Sequence, residues 1–521
     1  MNQNLFQKVL DRVVFNAVVY KSCCIAAFML VPSIFFCFFP QVVSVVFLLW
    51  GAAILLHDLF EHRSFLKSPG SMILCFFVLS YVITLIFFSK NELLSTFNVF
   101  FWMIIEFFLL FAIDHAEKKT FSMLLYDMSK INVTITVVAL VSAILSMVCF
   151  FLKLAVVMPD PEGLNQFWSI GIVNGRNSGI FNNPIPLASA MFLGCVSSAY
   201  NFFFRDIKKK RHKAYYIIVF CISFMCIQTT LTRTYVYGLY MFVAIAAFAG
   251  LIQFFRKKQK AVKRFFASLG AALVVTGLIA GVGQIMKLGM VKIVSIKEPI
   301  SILMNVDQFG DQYDGKTYEE IQAEINKSLA LDSEVTLSRD EIKRLPSFFY
   351  PRNELWKVAL QVIPHSPLFG FTSGNLASTS LQYGDTEYFN KNWETGIPTY
   401  HNAYFDIAVS AGLIGLVLML LFLAFHIYRT VCVLLAHDLP DQTVKSMFSY
   451  GVLAAFLATH VFCICLFFGT IVFNNLAICL YFWTVLGFVA RINDITLQKD
   501  ETLSANKVFS SLKGLLHRNH E

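Results

Sequence analysis

Long apolar segments, separated by short charged or turn-forming stretches, dominate the chain. Twelve of these runs have about the length that crosses a bilayer. Inside hydrocarbon each run has to satisfy its own backbone polar groups, and a helix does so. The pattern therefore predicts an all-α integral membrane protein with about twelve transmembrane helices. The predicted spans are 23–39, 41–56, 72–88, 93–113, 131–152, 185–204, 214–231, 234–255, 265–286, 401–428, 447–467 and 470–489.

The distribution of lysine and arginine predicts the orientation of these spans. With the N-terminus in the cytoplasm, the inside segments hold 27 Lys and Arg, whereas the short outside loops hold 4. Such a bias is typical of cytoplasmic loops. It predicts a cytoplasmic segment at 1–22, nine spans within 23–286, one large extracytoplasmic loop at 287–400, three spans within 401–490 and a cytoplasmic tail at 491–521. Both termini are then cytoplasmic.

Composition supports this class of protein and excludes others. Of the 521 residues, 57% are hydrophobic and only 14% are charged, with a mean hydropathy of +0.64. A soluble enzyme, a disordered chain or a coiled coil would carry far more charge. The net charge of +9 invites a nucleic-acid function. However, the basic runs at 205–213 and 256–264 sort to one side of the membrane, which predicts that they determine topology and argues against nucleic-acid binding. Added contact with anionic lipid head groups is the alternative interpretation of these runs.

The predicted outer loop at 287–400 is the longest non-membrane segment, and it is mildly acidic. It holds 15 Asp and Glu against 11 Lys and Arg. Helical spacing of apolar residues predicts short amphipathic helices at 317–331 and at 352–363. Prolines at 364 and 367 end the second helix, and a glycine-bent loop follows at 366–375.

Three ionisable side chains stand at the outer membrane boundary, where the charge bias disfavours cations. Arg233 lies between two spans, Arg352 begins the second amphipathic helix, and His401 begins a span. Arginine suits bidentate binding of a diphosphate, and a neutral histidine is a common general base near pH 7. Glu354 and Asp406 are alternative bases. Together these side chains indicate a substrate linked to a lipid diphosphate.

The segments that carry these residues resemble the O-antigen ligase and polymerase superfamily. The runs RNELWKVALQVIPHSPLFGFTSG at 352–374 and HNAYFDIAVSAGLIGL at 401–416 are similar to the family's arginine helix, glycine turn and His-Asn span. RNSGIFNNPIPLA at 176–188 and TLTRT at 230–234 are similar to its upstream motifs. Two features depart from the family: Thr372 replaces the second glycine of the turn, and the segment between Arg233 and Arg352 is long. Both leave the acceptor open.

The resemblance implies a metal-independent, inverting membrane glycosyltransferase of the C-type class. Such an enzyme moves a glycan from undecaprenyl diphosphate to an acceptor hydroxyl outside the bacterial cytoplasmic membrane, without a cofactor. Arg233 and Arg352 would bind the diphosphate and His401 would be the base. The remaining residues of the expected cavity are Arg176, Asn182, Asn183, Glu354, Asn402 and Asp406.

Alternatives remain open at this point. The acceptor is a glycan in a polymerase, and a lipid or cell-wall component in a ligase. The long outer segment slightly favours a polymerase of surface polysaccharide. Twelve spans also suit a transporter or flippase of lipid-linked oligosaccharide, although the chain lacks the paired halves expected of one. A structural assembly partner is a third interpretation.

Overall fold

The structure, a computed structural model, is a bundle of helices with one small sheet. It describes residues 10–36, 39–88, 93–115, 119–159, 167–173, 175–205, 210–256, 259–295, 300–304, 317–328, 352–385, 396–467 and 471–518. The helices are α1 Ala17–Leu30, α2 Pro40–Glu61, α3 Ser64–Lys67, α4 Ser71–Phe88, α5 Leu93–Ile104, α6 Phe121–Phe151, α7 Pro184–Phe204, α8 Lys210–Thr230, α9 Arg233–Phe254, α10 Ala261–Ser295, α11 Tyr318–Ser328, α12 Arg352–Val362, α13 Leu376–Tyr383, α14 Ala403–Ala436, α15 Val444–Thr459 and α16 Ala477–Arg518. Turns of π-helix at Leu10–Val14, Ile105–Phe111 and His460–Ile464, 3₁₀ turns at Ile113–His115 and Ile363–His365, and a short helical turn at Cys465–Phe467 adjoin them.

The helices confirm the predicted fold class. Within the described residues, ten helical segments are long and apolar enough to cross a membrane, and α1 and α4 are shorter apolar helices beside them. The count of twelve spans stays a prediction. The first helix differs from the predicted span 23–39, because Asn16 caps α1 by accepting hydrogen bonds from the amides of Val18 and Val19. Pro32 follows the end of this helix at Leu30.

A four-stranded sheet was not predicted from the sequence. Its strands are β1 Leu154–Pro159, β2 Phe167–Val173, β3 Arg176–Gly179 and β4 Ile300–Leu303, in the order β3-β2-β1-β4. β1 pairs antiparallel with β2 and parallel with β4, and β2 pairs antiparallel with β3. The strands are too short for a clear alternating pattern, and β4 comes from the large segment that was expected to hold only short helices. The sheet places Arg176 at the start of its edge strand.

Helices α9 and α15 run antiparallel in close contact. A Cβ atom on Gly451 would lie 2.9 Å from the backbone nitrogen of Gly250, so the two backbones touch at this point. Toward the other end of the pair, the Cys463 thiol donates to the carbonyl oxygen of Thr234 at 3.8 Å. This packing fixes the first turn of α9 beside the π-helical turn that follows α15.

A break in α14 receives the segment 366–372. Gly412 has φ 69° and ψ −177° inside the helix, which leaves nearby backbone groups without helical partners. The segment supplies them: the amides of Phe371 and Thr372 donate to Val409 and Ser410, at 2.8 and 3.0 Å. In return, the amide of Leu413 donates to Pro367 at 2.8 Å. Docking therefore satisfies the interrupted backbone, as a membrane-embedded helix requires.

We expect Gly412→Ala to destabilise this docking. The left-handed φ disfavours any side chain, and a Cβ at this position would lie 2.1 Å from the carbonyl oxygen of Leu368. The substitution should lower the free energy of unfolding by more than about 1 kcal/mol, seen as a lower melting temperature in detergent. The matched control is Gly270→Ala on α10, where an added Cβ has no described heavy atom within 4 Å. Equal melting temperatures for the two variants would contradict this account of the break.

Candidate functional site

Three arginines are located at the first turn of α9, although they come from separate parts of the chain. Arg176, from the edge strand β3, donates from Nε to the carbonyl oxygen of Thr230 at 2.9 Å and from Nη2 to Thr232 Oγ1 at 3.2 Å. Arg352, the first residue of α12, donates from Nη2 to Thr234 Oγ1 at 3.2 Å. Arg233 is itself the first residue of α9. The structure thus brings Arg176 and Arg352 to the helix that begins with Arg233.

The first turn of α9 adds to the positive potential of these side chains. A helix N-terminus carries about half a positive elementary charge and exposes amides without intrahelical partners. Thr232, at the N-cap position, makes no side-chain hydrogen bond to the amides of this turn. Helix N-termini of this kind bind phosphate groups. Cations and helix dipole together form a site suited to a multiply charged anion.

Arg352 is held in place by the surface of the bundle as well as by Thr234. Its guanidinium carbon lies 5.7 Å from the centre of the Phe467 ring, a cation–π distance. The helix that carries it buries Leu355, Val358 and Ala359. This helix therefore packs by its apolar face, as the spacing of its residues predicted.

His401 lies in a tight turn just before α14. Its backbone has φ 50°, and its amide donates to Thr399 Oγ1 at 3.2 Å. Asp406, one turn into the helix, accepts from the Thr399 hydroxyl at 2.9 Å and from the Tyr400 amide at 2.8 Å. Because these bonds tie the turn to the helix, Asp406 orients the backbone that carries His401.

The middle of the chain matches a known family. Residues 217–420 match the family model of the O-antigen ligases. The match spans about two fifths of the chain and confirms the resemblance to the O-antigen ligase and polymerase superfamily. No curated protein matches the chain significantly. The ligase-like segment, as we call residues 217–420, contains Arg233, Arg352 and His401, whereas Arg176 precedes it.

The family match supports a coarse function. The protein is a multi-pass membrane protein, and the match supports an O-antigen ligase or polymerase type of function in polysaccharide biosynthesis. The residues of the ligase-like segment that meet at the start of α9 and α14 are the strongest candidates for its site.

Burial and a nearby positive charge both lower the pKa of His401, which lies in the ligase-like segment. Removal from water lowers the pKa of His401 to about 4, and the positive charge of nearby Arg352 contributes to the shift. Both effects disfavour the imidazolium form. His401 is therefore neutral at pH 7 in the free protein, the form in which an imidazole can act as a base.

The other residues proposed from the sequence have local structural roles. Asn402 caps α14, with its side chain accepting from the amides of Tyr404 and Phe405 at 3.0 and 3.3 Å. Asn183 caps α7 through the Ile185 amide at 3.0 Å, and Asn182 is exposed beside it.

Glu354 pairs with Lys357 at 3.0 Å, one turn along the exposed side of α12. Its salt bridge ties it to this surface lysine, so Asp406 is the carboxylate that the structure connects to the His401 turn.

Some contributors to the site were not found from the sequence. Thr234, Phe467 and Thr399 hold Arg352 or the His401 turn, but threonine and phenylalanine beside a span give no distinguishing signal. Within the described ranges, no three His, Cys, Asp or Glu side chains cluster in a way that could hold a metal ion.

We expect His401 to titrate well below the usual histidine range, and Arg352→Gln to raise its pKa. Removal of the guanidinium charge makes protonation easier, while burial, the larger cause, keeps the pKa under 6.5. Measurement is by ¹⁵N-histidine NMR in detergent, with His401→Gln to assign the signal. Lys357→Gln removes the same charge from an exposed position on the same helix, and should leave the titration unchanged. A wild-type pKa at or above 6.5 would contradict this electrostatic picture.

Proposed function

We propose that this protein transfers or polymerises glycan from an undecaprenyl-diphosphate donor onto an acceptor hydroxyl, on the outer side of the bacterial cytoplasmic membrane. The observation that carries the proposal is the convergence of arginines at the start of α9, with a neutral histidine close enough to Arg352 for the arginine's charge to act on it. Arg352 bonds to the first turn of α9, which begins with Arg233, and its charge acts on His401. These three residues all lie in the ligase-like segment.

The donor's diphosphate fits the arginine side of this site. Guanidinium groups pair with phosphate oxygens through two parallel hydrogen bonds, and the start of α9 contributes amides and positive potential. As the bond from the anomeric carbon to the diphosphate oxygen breaks, the leaving oxygen gains charge. Preorganised cations stabilise that charge. We therefore propose Arg233 and Arg352 as the diphosphate ligands, and Arg176 as a support that acts through Thr232.

In this proposal, His401 is the base that takes the proton of the acceptor hydroxyl. The acceptor oxygen attacks the anomeric carbon from the face opposite the diphosphate and forms the new glycosidic bond. Its proton passes to the neutral imidazole of His401, and undecaprenyl diphosphate leaves with the bonding electron pair. A single displacement of this kind inverts the anomeric configuration. The negative donor beside Arg352 raises the pKa of His401 from its value in the free site, which makes it a stronger base.

The proposed location follows from the charge distribution. With 27 Lys and Arg in the segments assigned to the cytoplasm against 4 in the short outer loops, both termini are cytoplasmic and the site faces outward. The partners are then the lipid-linked donor, an acceptor on the glycan, lipid or cell wall, and membrane lipids. We propose no cofactor and no metal ion, since the arginines supply the positive charge.

The test is glycan transfer by the purified protein in EDTA, with the undecaprenyl-diphosphate-linked glycan of the host as substrate. We expect His401→Ala to lower kcat by about 10²–10⁴-fold, the usual contribution of a general base. Arg352→Lys keeps the charge but loses the bidentate geometry, and should be impaired less than Arg352→Ala. Released undecaprenyl diphosphate and the lengthened or transferred glycan are followed by mass spectrometry.

Lys357→Ala is the control for these variants, because Lys357 is a cation on the same helix with a mostly exposed side chain. It should retain full turnover. Full activity in His401→Ala, or activity that EDTA abolishes, would contradict the mechanism. Movement of the intact lipid-linked glycan across a proteoliposome, with no release of undecaprenyl diphosphate, would instead establish the transporter interpretation.

A further inference from the structure

A second compartment adjoins His401, and its lining differs from that of the arginine side. This is a cavity of about 490 Å³, bordered by His401, Asp406, Ser373 and residues 473–476. Its volume lies in the range of about 300–1,000 Å³ typical of small-molecule sites. No lysine or arginine is among its described lining residues. His401 therefore borders a compartment whose described lining adds no lysine or arginine, while the charge of Arg352 also acts on it.

Asp406 is the only carboxylate in the described lining of this cavity, and its oxygens already accept hydrogen bonds from the protein. Both oxygens of Asp406 accept hydrogen bonds, from the Thr399 hydroxyl and from the Tyr400 amide. The rest of the described lining combines the polar groups of Ser373, Thr399 and the two asparagines at 474 and 475 with the aromatic ring of Phe473 and with aliphatic side chains. Such a lining suits an uncharged ligand rich in hydroxyl groups, and not a second diphosphate.

The cavity wall at residues 473–476 belongs to an irregular backbone segment, 471–476, that its surroundings hold firmly. The sequence predicted helix here, within the span 470–489, but α16 begins only at Ala477. The Trp483 indole and the Cys479 thiol both donate to the carbonyl oxygen of Ile471, at 2.7 and 3.1 Å. Phe473 has φ 73°, and its ring lies 4.8 Å from that of Tyr81. Strained residues of this kind, fixed by their neighbours, cluster at functional sites.

Two consecutive asparagines on this wall border the cavity. Asn474 uses its side-chain oxygen to accept from the Leu476 amide at 3.0 Å. Asn475 is half-buried, and no described group bonds its side chain. A primary amide can donate and accept at once. Sugar hydroxyls do the same, so Asn475 matches the hydrogen-bonding capacity of a pyranose ring.

We propose that this cavity is the subsite for the acceptor sugar and that Asn475 hydrogen-bonds its hydroxyls. The inference rests on the proposed function and extends it, since it separates a donor side at the arginines from an acceptor side at residues 473–476. His401 borders the acceptor subsite, and the positive charge of Arg352 acts on it. The acceptor hydroxyl and the donor would therefore come together at His401. The acceptor's identity is then set by the shape and amides of this wall.

Binding measurements on the purified full-length protein test this without requiring turnover. The first probe is the oligosaccharide released by mild acid from the host's own lipid-linked glycan, which carries no diphosphate. The second is inorganic diphosphate. Asn475→Ala should weaken oligosaccharide binding by about 5–10-fold, the effect of about one lost hydrogen bond, and leave diphosphate binding unchanged. Arg352→Gln should do the reverse. Ligand-observed NMR titration gives both affinities.

Asn98→Ala is the matched control, because Asn98 is an exposed asparagine next to Val99, a residue of the cavity wall, but does not itself line the cavity. It should bind both probes like the wild type. If the wild type fails to bind the oligosaccharide, or if Asn475→Ala binds it normally, the acceptor subsite is wrong. If both probes show the expected split but no transfer occurs, the subsite stands and the transferase proposal fails.

Discussion

The backbone break at Gly412 is the constraint on which the candidate site depends. A helix of 34 residues could cross the membrane without interruption, yet α14 opens at this glycine and takes in the segment 366–372. In an apolar environment, such an opening is stable only because the incoming amides and carbonyls pair with those of the helix. The docked segment follows α12, which carries Arg352, and α14 begins just after His401. One set of backbone bonds therefore fixes both residues relative to the bundle.

In the candidate site, the positively charged side chains lie on one side and the cavity by residues 473–476 lies on the other. Arginines and the start of α9 make one side cationic, whereas the cavity by residues 473–476 has no lysine or arginine in its described lining and is bordered by amide, hydroxyl, aromatic and aliphatic groups. His401 lies at the boundary and is neutral in the free protein because of its burial and of Arg352. For the transfer that we propose, from a charged donor to an uncharged acceptor, this division would give each substrate its own side.

The sequence predicted those features that have a long-range periodic signal. Apolar runs and charged boundaries locate most of the membrane helices, and the spacing of Leu355 and Val362 predicts α12 within one residue of its end. Arg352 and His401 stand out in the sequence because they are ionisable groups at a membrane boundary. The four-stranded sheet was missed, since its strands are only four to seven residues long. The segment 471–476 was missed because its apolar residues read as part of a span.

Thr372 occupies a turn position with a backbone conformation that glycine favours. Related sequences are expected to have glycine at this point of the turn, and Thr372 indeed adopts φ 70°, in the left-handed region that glycine favours. Its hydroxyl is buried and has no partner among the described residues. The turn therefore adopts a backbone shape that glycine favours although a threonine occupies the position, and the amide of Thr372 donates to the Ser410 carbonyl there. Only tertiary contacts of this kind explain why a threonine is tolerated there.

The most direct measurement is an electron cryomicroscopy structure of the protein in lipid nanodiscs with undecaprenyl diphosphate bound. The account predicts density for the diphosphate at the start of α9, within hydrogen-bonding distance of Arg233 and Arg352 and next to His401. Density for the diphosphate at the opposite end of the bundle, or in the neutral cavity by residues 473–476, would contradict the central claim that the arginines hold the donor.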